Sequence, residues 1–282
     1  MGERLSLVAV FYNEAEKLPG YFANVRGVAD EIVAVDCSSS DRTAEICRKN
    51  GALVIPSKYR YFEQNVNKAL SKVNEGGWVL VLDADERLSP GLKREIRKVL
   101  ESPQTDVYLI KRINYLFDGF STRSTINTWL PRLFRKGCVH WEQEMPHEKP
   151  VVEGKTARLS SIFFHYAYTS VPAYVQKMDE YLCRMPAEYA KKGKNRILIG
   201  ERDSKVSMIF GSHGLRRMFL YPPILVLNHL IRRRLIFDGR RGAIFAVCAG
   251  IYSFFEEAIY YEVKSKEKNS VMINWKKEYP DK

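Results

Sequence analysis

Two aspartates separated by a single residue are the side chains in this sequence best suited to hold a divalent cation. Asp83 and Asp85 directly follow residues 78–82, an apolar run with the composition of a buried strand. Mg²⁺ and Mn²⁺ prefer carboxylate oxygens, and a cation held there can bridge a diphosphate and neutralise the charge that grows as it leaves. A solvated acidic turn can have the same two residues, so the interpretation as a metal site depends on the motifs around the pair.

Polar side chains also follow the first two apolar runs of the chain. Asn13 and Glu14 come after residues 5–11, and Asp36 ends residues 31–36. In an open α/β sheet the ligand lies outside the carboxyl ends of the strands, so this arrangement predicts a nucleotide site. Glu14 has an alternative use at the start of a helix, where a carboxylate is favourable against the helix dipole.

The elements that must position these residues alternate between short β-rich runs and helical ones. The predicted strands of this N-terminal part are 5–11, 31–36, 52–55 and 78–82. Strands separated by helices indicate βαβ units and a mostly parallel sheet. Asp41 is placed to cap a helix of residues 42–50, and Ser89 with Pro90 to cap another that ends near Glu101.

The rest of the chain changes from strands to helices. The predicted strands that extend the sheet and line an acceptor cleft are 107–113, 129–134 and 162–164. Past Pro172 the apolar residues recur at helical spacings. We therefore expect a catalytic domain over residues 1–200 and a helical, basic region over residues 201–282.

The composition is that of a folded protein, and its basic excess is compatible with an anionic partner, whether nucleic acid, lipid headgroup or phosphorylated substrate. The 282 residues are 45% hydrophobic and carry 45 basic against 33 acidic side chains, a formal net charge of +12. Five cysteines without CxxC or Cys/His spacing argue against a zinc site or a disulfide framework and favour a reducing cytosol. The first residues lack the layout of a signal peptide.

Part of the basic excess lies in a C-terminal region where arginines interleave with large apolar residues. The arginines of this region are Arg216, Arg217, Arg232, Arg233, Arg234, Arg240 and Arg241. Cationic and apolar side chains together are typical of a helix in a membrane interface, whereas nucleic-acid binding would bring a module that the sequence lacks. The longest apolar stretch, residues 242–255, is too short to span a bilayer, so we expect a peripheral position on the membrane.

Four motifs carry a resemblance to a known family. They are VFYNE at residues 10–14, VDCSSSDRT at 35–43, NKAL at 67–70 and LDADE at 82–86. In this order they resemble the family 2 inverting glycosyltransferases of the GT-A fold. The likeness implies a Rossmann-like α/β fold of the nucleotide-diphospho-sugar transferase type, with a mixed sheet flanked by helices and a helical C-terminal extension.

Further motifs are similar to those of the lipopolysaccharide core glucosyltransferases and their relatives within that family. These are WLPRLFR at residues 129–135, HE at 147–148, HY at 165–166, DGR at 238–240 and the aromatic helix to Glu262. They extend the resemblance over nearly the whole chain. The resemblance therefore implies a cytoplasmic enzyme of cell envelope polysaccharide synthesis, peripheral on the inner face of the membrane.

The resemblance implies a role for each matching residue. The donor-binding residues are Phe11, Asn13, Glu14, Asp36, Asn67, Asp83, Ala84, Asp85 and Arg132. The ligands of a Mg²⁺ or Mn²⁺ ion are Asp83, Asp85 and His165. Asp36 is the partner of a uracil N–H, which a carboxylate accepts well. Cys37 and Val66 depart from the family pattern, so the identity of the donor stays open.

Two of these residues have alternative interpretations. A lone histidine is more often structural than a ligand, so His165 can also serve the fold. Arg132 and its neighbour Arg135 can reach phosphate as forked donors, or they can form surface salt bridges instead.

An inverting transfer also needs a base that takes the proton of the attacking acceptor hydroxyl. The candidates lie in HWEQEMPHE at residues 140–148. The resemblance favours Glu148 as the base, with His147 as a positioning group. Glu142 and Glu144 are the alternatives.

We expect inverting transfer of a sugar from a nucleotide diphosphate donor, preferably UDP-linked, to a membrane-associated glycolipid or lipid-linked saccharide. A polyprenyl-phosphate glycosyltransferase is the nearest alternative. A sugar nucleotidyltransferase would show a glycine-rich phosphate loop, and residues 5–17 have none. A non-catalytic basic protein that binds membranes or nucleic acid would leave the acidic residues at the strand ends unexplained.

Overall fold

The computed structural model describes residues 3–58, 62–142, 150–191 and 214–268. Contacts divide the chain into two compact units, which are Met1–Asn114 with Asn127–Tyr166, and Tyr115–Ile126 with Ala167–Lys282. The sequence predicted a division at residue 200 instead. The structure places it earlier because the helix Val171–Lys191 packs against the last helix of the chain and belongs with it.

The first unit is a sheet with helices between its strands. Its helices are α1 (Leu18–Val25), α2 (Thr43–Lys49), α3 (Phe62–Leu70) and α4 (Pro90–Glu101). Its strands are β1 (Leu5–Phe11), β2 (Glu31–Asp36), β3 (Leu53–Pro56), β4 (Trp78–Val81), β5 (Glu86–Leu88), β6 (Val107–Leu116), β8 (Trp129–Arg135), β9 (Val139–Trp141), β10 (Pro150–Val152) and β11 (Thr156–Tyr168). The last residues of β6 and β11 pass into the second unit, which also contains β7 (Gly119–Phe120).

The strand order of the sheet is β3-β2-β1-β4-β8-β6-β11-β5, with β9 and β10 as a separate antiparallel pair. β1 is parallel to β2 and β4, and β2 is parallel to β3, whereas β8 is antiparallel to both β4 and β6. The carboxyl ends of β1, β2 and β4 therefore lie on the same side of the sheet. This mixed sheet flanked by helices confirms the GT-A fold class that the resemblance implies.

Alternating residues of the central strands build a core on each face of the sheet. On β1, Leu7 and Ala9 pack in one core and Val8 packs in the other. Helices α1 and α4 cover the first face with Tyr21 and Leu92, and α3 covers the second. Strands buried on both faces are nearly continuous apolar runs, which is why the sequence identifies them well.

The start of α4 has the capping that the sequence predicted, whereas the N-cap of α2 is Arg42, directly after the predicted Asp41. At the first turn of α4, Ser89 Oγ accepts a hydrogen bond from the N–H of Leu92, 3.1 Å away. Asp41 accepts at Oδ1 from the N–H of Thr43, 2.9 Å away, and at Oδ2 from the N–H of Ala15, 3.0 Å away. Asp41 thus ties the start of α2 to the loop after β1, in agreement with its predicted structural role.

The second unit is mainly helical. Its helices are α5 (Val171–Lys191), α6 (Leu215–Leu230), a short 3-10 helix (Leu235–Asp238) and α7 (Gly239–Lys268). α7 packs against both α5 and α6. A Cβ at Gly250 would lie 2.6 Å from Val226 Cγ2 and 3.2 Å from the carbonyl oxygen of Pro222, so glycine is what allows α6 and α7 to approach this closely.

One segment of the second unit is long and apolar enough to cross a membrane by length and composition. It is Leu235–Ser265, 31 residues with a mean hydropathy of 1.4 over an 18-residue stretch, and 39% of that stretch is buried inside the structure. The core helix of a soluble protein can pass the same test. From the sequence we predicted no segment long enough to span a membrane, because that prediction considered only the uninterrupted apolar stretch 242–255. Helix α7 continues well beyond that stretch.

Candidate active site

The loops after β1 and β2 are tied together by hydrogen bonds. The N–H of Asn13 donates to Ser39 Oγ at 3.0 Å, and Asn13 Oδ1 accepts from the N–H of Ser40 at 2.8 Å. Asn13 and Ser38 both have positive φ, 53° and 60°, which is uncommon outside glycine. Backbone of this kind is concentrated at functional sites, and here it occurs where the sequence predicts the nucleotide.

Asp36, the predicted partner of the nucleobase, is a buried residue at the end of β2. Its Oδ2 accepts from the N–H of Ser39 at 3.3 Å, while its Oδ1 is buried with no hydrogen-bond partner among the described residues. A buried carboxylate oxygen without a partner is costly, so it is suited to accept from a ligand. Burial raises the pKa of the adjacent Cys37 thiol to about 12, and Asp36 adds to the shift, so Cys37 stays neutral.

Two predicted donor contacts serve the hydrophobic core instead. Phe11 is buried and packs edge-on against Tyr21, with ring centroids 5.3 Å apart. Ala84 is buried in the same core. The alternation of side chains along a strand directs Phe11 inward, and the turn after β4 does the same for Ala84. Glu14 stays at the loop after β1, where its carboxylate forms an ion pair with Lys17 at 2.6 Å.

A buried arginine holds Asp83 in the turn after β4. Arg132 Nη2, from β8, donates to Asp83 Oδ2 at 2.9 Å and to Glu86 Oε1 at 2.7 Å. Glu86 is fully buried, and its Oε2 accepts from the N–H of Asp83 at 3.0 Å. The other oxygen of Asp83, Oδ1, is buried and has no hydrogen-bond partner in the part of the chain that the structure describes. The turn is therefore fixed, and one of its carboxylate oxygens remains for a ligand.

The ionisation of this cluster follows from its burial. Burial raises the pKa of Glu86 above its ordinary value, and the guanidinium of Arg132 opposes that shift. Burial alone would lower the pKa of Arg132, but Glu86 and Asp83 raise it above its ordinary value. The guanidinium is therefore always charged, and it neutralises the buried side of the acidic turn.

Neither arginine of the WLPRLFR motif is placed to bind phosphate in the way the sequence predicted. Arg132, the predicted donor contact, is buried and its Nη2 is committed to Asp83 and Glu86. Arg135 forms two hydrogen bonds of 2.8 Å with Glu3. The salt-bridge interpretation therefore applies to both, although the salt bridge of Arg132 lies in the interior rather than on the surface.

His165 lies beside Asp85, with its Nε2 3.6 Å from Asp85 Oδ2. Its other ring nitrogen, Nδ1, is 2.8 Å from Asn114 Oδ1. Asn114 is fixed in turn by Asn127, whose Oδ1 accepts from the N–H of Asn114 at 2.9 Å and from its Nδ2 at 3.2 Å. Because an amide oxygen only accepts, the proton of a neutral His165 lies on Nδ1, and Nε2 keeps its lone pair.

Asp85 and His165 fit a divalent cation. Carboxylate oxygens and imidazole nitrogens are ordinary ligands of such cations, and a ligating imidazole is usually oriented by a hydrogen bond at its other nitrogen, as Asn114 provides. In the described part of the chain no three His, Cys, Asp or Glu side chains converge on one point, because Asp83 faces Arg132. A cation would therefore complete its coordination with substrate phosphates and water.

Asn67, another predicted donor residue, forms a contact within the fold. Its Nδ2 donates to the carbonyl oxygen of Trp141 at 2.6 Å, and its Oδ1 accepts from the Trp141 N–H at 3.1 Å. The two bonds join α3 to β9. Since both polar atoms of the amide are bonded to the main chain, Asn67 has a structural role here.

The segment predicted to carry the base is described only at its beginning. Glu148, its neighbour His147 and the alternative Glu144 lie outside the described residues. Glu142, the other alternative, is exposed and directly follows β9.

Two residues of the site were not singled out from the sequence. Glu86 is the last residue of the LDADE motif, and a charged residue that leads from an acidic turn into an apolar strand could have indicated a buried partner. Asn114 interrupts the apolar run of β6, which is the kind of buried polar position that needs a hydrogen-bond partner. The sequence showed both residues but not what they contact.

Comparisons with known proteins identify the family. The sequence matches Glycosyl transferase family 2 over residues 6–150. An uncharacterised glycosyltransferase of Rickettsia bellii is 26% identical over 232 residues, covering 78% of this chain and 79% of its own. Two solved structures are also similar. S. aureus TarS 1-349 with UDP-GlcNAc has a TM-score of 0.45 at 13% identity, covering 95% of this chain and 92% of its own.

The second structure is the mannosyltransferase PcManGT from Pyrobaculum calidifontis with GDP-Man and Mn²⁺. It has a TM-score of 0.45 at 12% identity, covering 96% of this chain and 89% of its own. The family match includes the two nucleotide-side loops, the acidic turn and Arg132, and it spans more than half of the 282 residues. The chain therefore belongs to glycosyl transferase family 2.

Proposed function

We propose that this protein is a metal-dependent, inverting glycosyltransferase that moves a sugar from a UDP-linked donor to a glycolipid or lipid-linked saccharide at the inner face of the cell membrane. Membership of glycosyl transferase family 2 supports the reaction class. The observation that carries the metal-dependent route is that His165 Nε2 lies 3.6 Å from Asp85 Oδ2 while Asn114 holds the other ring nitrogen of His165. The motifs shared with lipopolysaccharide core glucosyltransferases support a role in cell envelope polysaccharide synthesis.

In this proposal the donor is held at both ends of its nucleotide diphosphate. Asp36 Oδ1, which has no partner among the described residues, accepts the N–H of the base. Asp85 and His165 would hold a divalent cation, which would neutralise the charge on the departing diphosphate. Arg132 keeps Asp83 and the rest of the acidic turn in position.

The transfer is a single displacement. The acceptor oxygen attacks the anomeric carbon on the side opposite the diphosphate, so the new C–O bond forms as the bond to the phosphate oxygen breaks, and the configuration inverts. The hydroxyl proton passes to a carboxylate, for which we propose Glu148 because of its place in the HE motif. Glu142 and Glu144 remain the alternatives.

The substitution Asp85→Asn tests the metal site. The amide keeps the size of the side chain but loses the anion that the cation requires. We expect turnover to fall by about 100-fold or more, since stabilisation of a leaving group by a metal contributes several kcal/mol. In a thermal-shift measurement, the stabilisation that UDP with Mn²⁺ gives the wild type should also disappear.

Asp118→Asn is the matched control, because the Asp118 side chain is 72% exposed and belongs to the second unit. It should keep both turnover and the UDP-induced shift. Full wild-type turnover in excess EDTA, or unchanged turnover of Asp85→Asn, would contradict the metal-dependent route. A larger thermal shift with GDP than with UDP would assign the donor to another base.

A further inference from the structure

Helix α6 presents an apolar surface to solvent. Its exposed large hydrophobic residues, with the one that directly follows the helix, are Leu215, Phe219, Leu220, Ile224, Leu227 and Ile231. Successive members are one, three or four positions apart, so they share one face. Their exposure is substantial, at 61% for Leu215 and Phe219 and 69% for Ile231.

The buried side of α6 carries polar residues alongside the apolar Met218, Tyr221 and Leu225. Arg217, Asn228 and His229 are all buried. Arg217 Nε lies 2.5 Å from Glu257 Oε1 of α7, in an ion pair whose side chains are only 4% and 5% exposed. A helix that faces water has the opposite distribution, with apolar residues inside and charges outside. Charged residues that pair inside a helical bundle, beneath an apolar exterior, are typical of helices that face lipid.

Helix α7 has the same arrangement. Its exposed apolar residues are Ile244, Val247, Ile251 and Phe255, at spacings of three and four. Glu256 and Glu257 are buried on its other side. The exposed apolar residues of α6 and α7, with Ile231, are together called the hairpin face. The ring of Phe254 joins the two sets, with centroid distances of 5.9 Å to Phe219 and 5.6 Å to Phe255. Soluble monomers rarely leave a large contiguous apolar surface in water.

Exposed arginines border the hairpin face. Arg216 stands at the start of α6, Arg232 and Arg234 lie between the helices, and Arg240 stands at the start of α7. The described residues 214–255 contain a single acidic side chain, that of Asp238, and it accepts a hydrogen bond from Ser121 at 2.6 Å. The border is therefore positively charged, and that charge is complementary to anionic lipid headgroups.

We propose that the hairpin face docks on the surface of an anionic membrane, with its apolar residues in the acyl boundary and its bordering arginines at the headgroups. From Leu215 to Ile231 the face is about 24 Å long at ~1.5 Å per residue, which is shorter than a hydrocarbon core of ~30 Å. Helix α6 is therefore too short to span the membrane and is placed in the interface. This docking surface rests on the proposed function in one respect only, which is that the acceptor lies in the same membrane.

The buried acids of α7 favour this position over a single spanning helix. Glu256 and Glu257 fall inside the candidate span Leu235–Ser265, where lipid around the whole helix would leave them in hydrocarbon. In the hairpin they are covered, and Glu257 is paired with Arg217.

Co-sedimentation of the full chain with lipid vesicles tests the docking surface. Vesicles of phosphatidylcholine alone are compared with vesicles that also contain phosphatidylglycerol, across a salt series. We expect stronger pelleting with the anionic vesicles, reduced but not abolished by salt, because salt screens the arginines and leaves the apolar contacts in place.

Two variants separate the apolar and the charged parts of the surface. Phe219→Ser with Leu227→Ser should lower partitioning onto anionic vesicles by about tenfold or more. Arg232→Glu with Arg234→Glu should remove the preference for anionic lipid. Leu53→Ser is the matched control, since Leu53 is 56% exposed on β3 of the first unit, and it should bind vesicles as the wild type does.

Donor binding is measured on the same variants by the thermal shift with UDP and Mn²⁺, and it should be unchanged in all of them. Failure of the proposed function would therefore appear in the thermal shift, and failure of the docking surface would appear in the vesicle pelleting. Negligible pelleting of the wild type with anionic vesicles would overturn the proposal. A dimer that Phe219→Ser with Leu227→Ser dissociates would replace the membrane with a second copy, and resistance to alkaline extraction would indicate a spanning helix.

Discussion

The side chains proposed to contact the donor and the cation are oriented by buried polar residues. Asn114 bonds to His165, and Arg132 bonds to Asp83, and both Asn114 and Arg132 are buried. A buried hydrogen-bonded group has few other partners, so it fixes the side chain that it contacts. Each of these contacts can be removed with a single substitution.

Asn114→Ala should weaken the metal site without removing a ligand. His165 Nδ1 loses its acceptor, so the proton is no longer held on that nitrogen and Nε2 is less available. We expect the affinity for Mn²⁺ in the presence of UDP to fall by about 10- to 100-fold. Nitrogen-15 NMR of the metal-free protein should show the tautomer of His165 shifting away from the form protonated on Nδ1.

Asn114→Asp is the control, because its carboxylate still accepts from His165 Nδ1. It should retain the tautomer and much of the Mn²⁺ affinity. If both variants lose affinity equally while the His165 spectrum stays as in the wild type, then Asn114 supports the fold and does not orient the ligand.

Arg132→Lys should destabilise the first unit. Lysine does not reproduce the two hydrogen bonds from one Nη2 to Asp83 and Glu86, and Glu86 is fully buried. Lysine keeps the charge but is shorter and lacks the planar fork, so the hydrogen bonds to these buried carboxylates are weakened, and we expect the free energy of unfolding in urea to fall by about 2 kcal/mol.

Arg135→Lys provides the comparison within the same strand, because the ion pair of Arg135 with Glu3 is partly exposed. Its cost should be below about 1 kcal/mol. Equal losses for the two variants would mean that the buried network around Asp83 contributes no more than a surface salt bridge.

Residue types and their order along the chain were enough to find the strand-end acids. Asp36, Asp83 and Asp85 follow apolar runs, and the parallel pairing of β1, β2 and β4 places the ends of those runs on one side of the sheet. The same information did not show that Arg132 binds the acidic turn rather than phosphate. That depends on β8 pairing antiparallel with β4, a contact between distant parts of the chain.

At the scale of elements, β1, β2, β4 and β8 were predicted to within a residue, since their apolar runs admit few alternatives, whereas β6 was predicted to end three residues before Leu116. β5 was missed because it has three residues, too few for a pattern. β11 was predicted as residues 162–164 but extends over Thr156–Tyr168, because its partly polar flanking residues mask the strand in the sequence.

Helix α4 is joined to β11 by one carboxylate. Glu95 Oε1 accepts from the N–H and Oγ of Ser160, and Oε2 accepts from the N–H of Ser161, each at 2.8 Å. Glu95→Gln replaces a charged acceptor with a neutral one and turns a donor toward a backbone N–H. We expect a loss of about 1 kcal/mol in the free energy of unfolding at neutral pH, given that the side chain is partly exposed.

The loss should depend on pH. Burial alone would raise the pKa of Glu95, but the hydrogen bonds from Ser160 and Ser161 lower it below its ordinary value of 4.5. The stabilisation is therefore present above that value and is lost as the pH falls through the lowered pKa. Urea unfolding of both proteins from pH 7 downward should show the difference shrinking in acid, and Glu101→Gln, at an exposed position of α4, should show no such difference.

For the molecule as a whole, the sequence predicted a sheet-based part and a helical part but not how the chain is divided between them. The second unit includes Tyr115–Ile126, which lies between two strands of the first. Ser121 and Asp238 are joined by a hydrogen bond across 117 positions of sequence. Local periodicity carries no information about a contact at that separation.

The second unit is discontinuous, and this limits how the protein can be dissected. Two hydrogen bonds hold its inserted segment, Tyr115–Ile126. Ser121 Oγ donates to Asp238, and the N–H of Thr125 donates to the carbonyl oxygen of Arg233. A polypeptide cut after Tyr166 would keep the segment without these partners, and one that began at Ala167 would lack the segment. A clean excision would instead join Asn114 directly to Asn127, two residues that already share hydrogen bonds of 2.9 and 3.2 Å, and would delete both stretches of the second unit together.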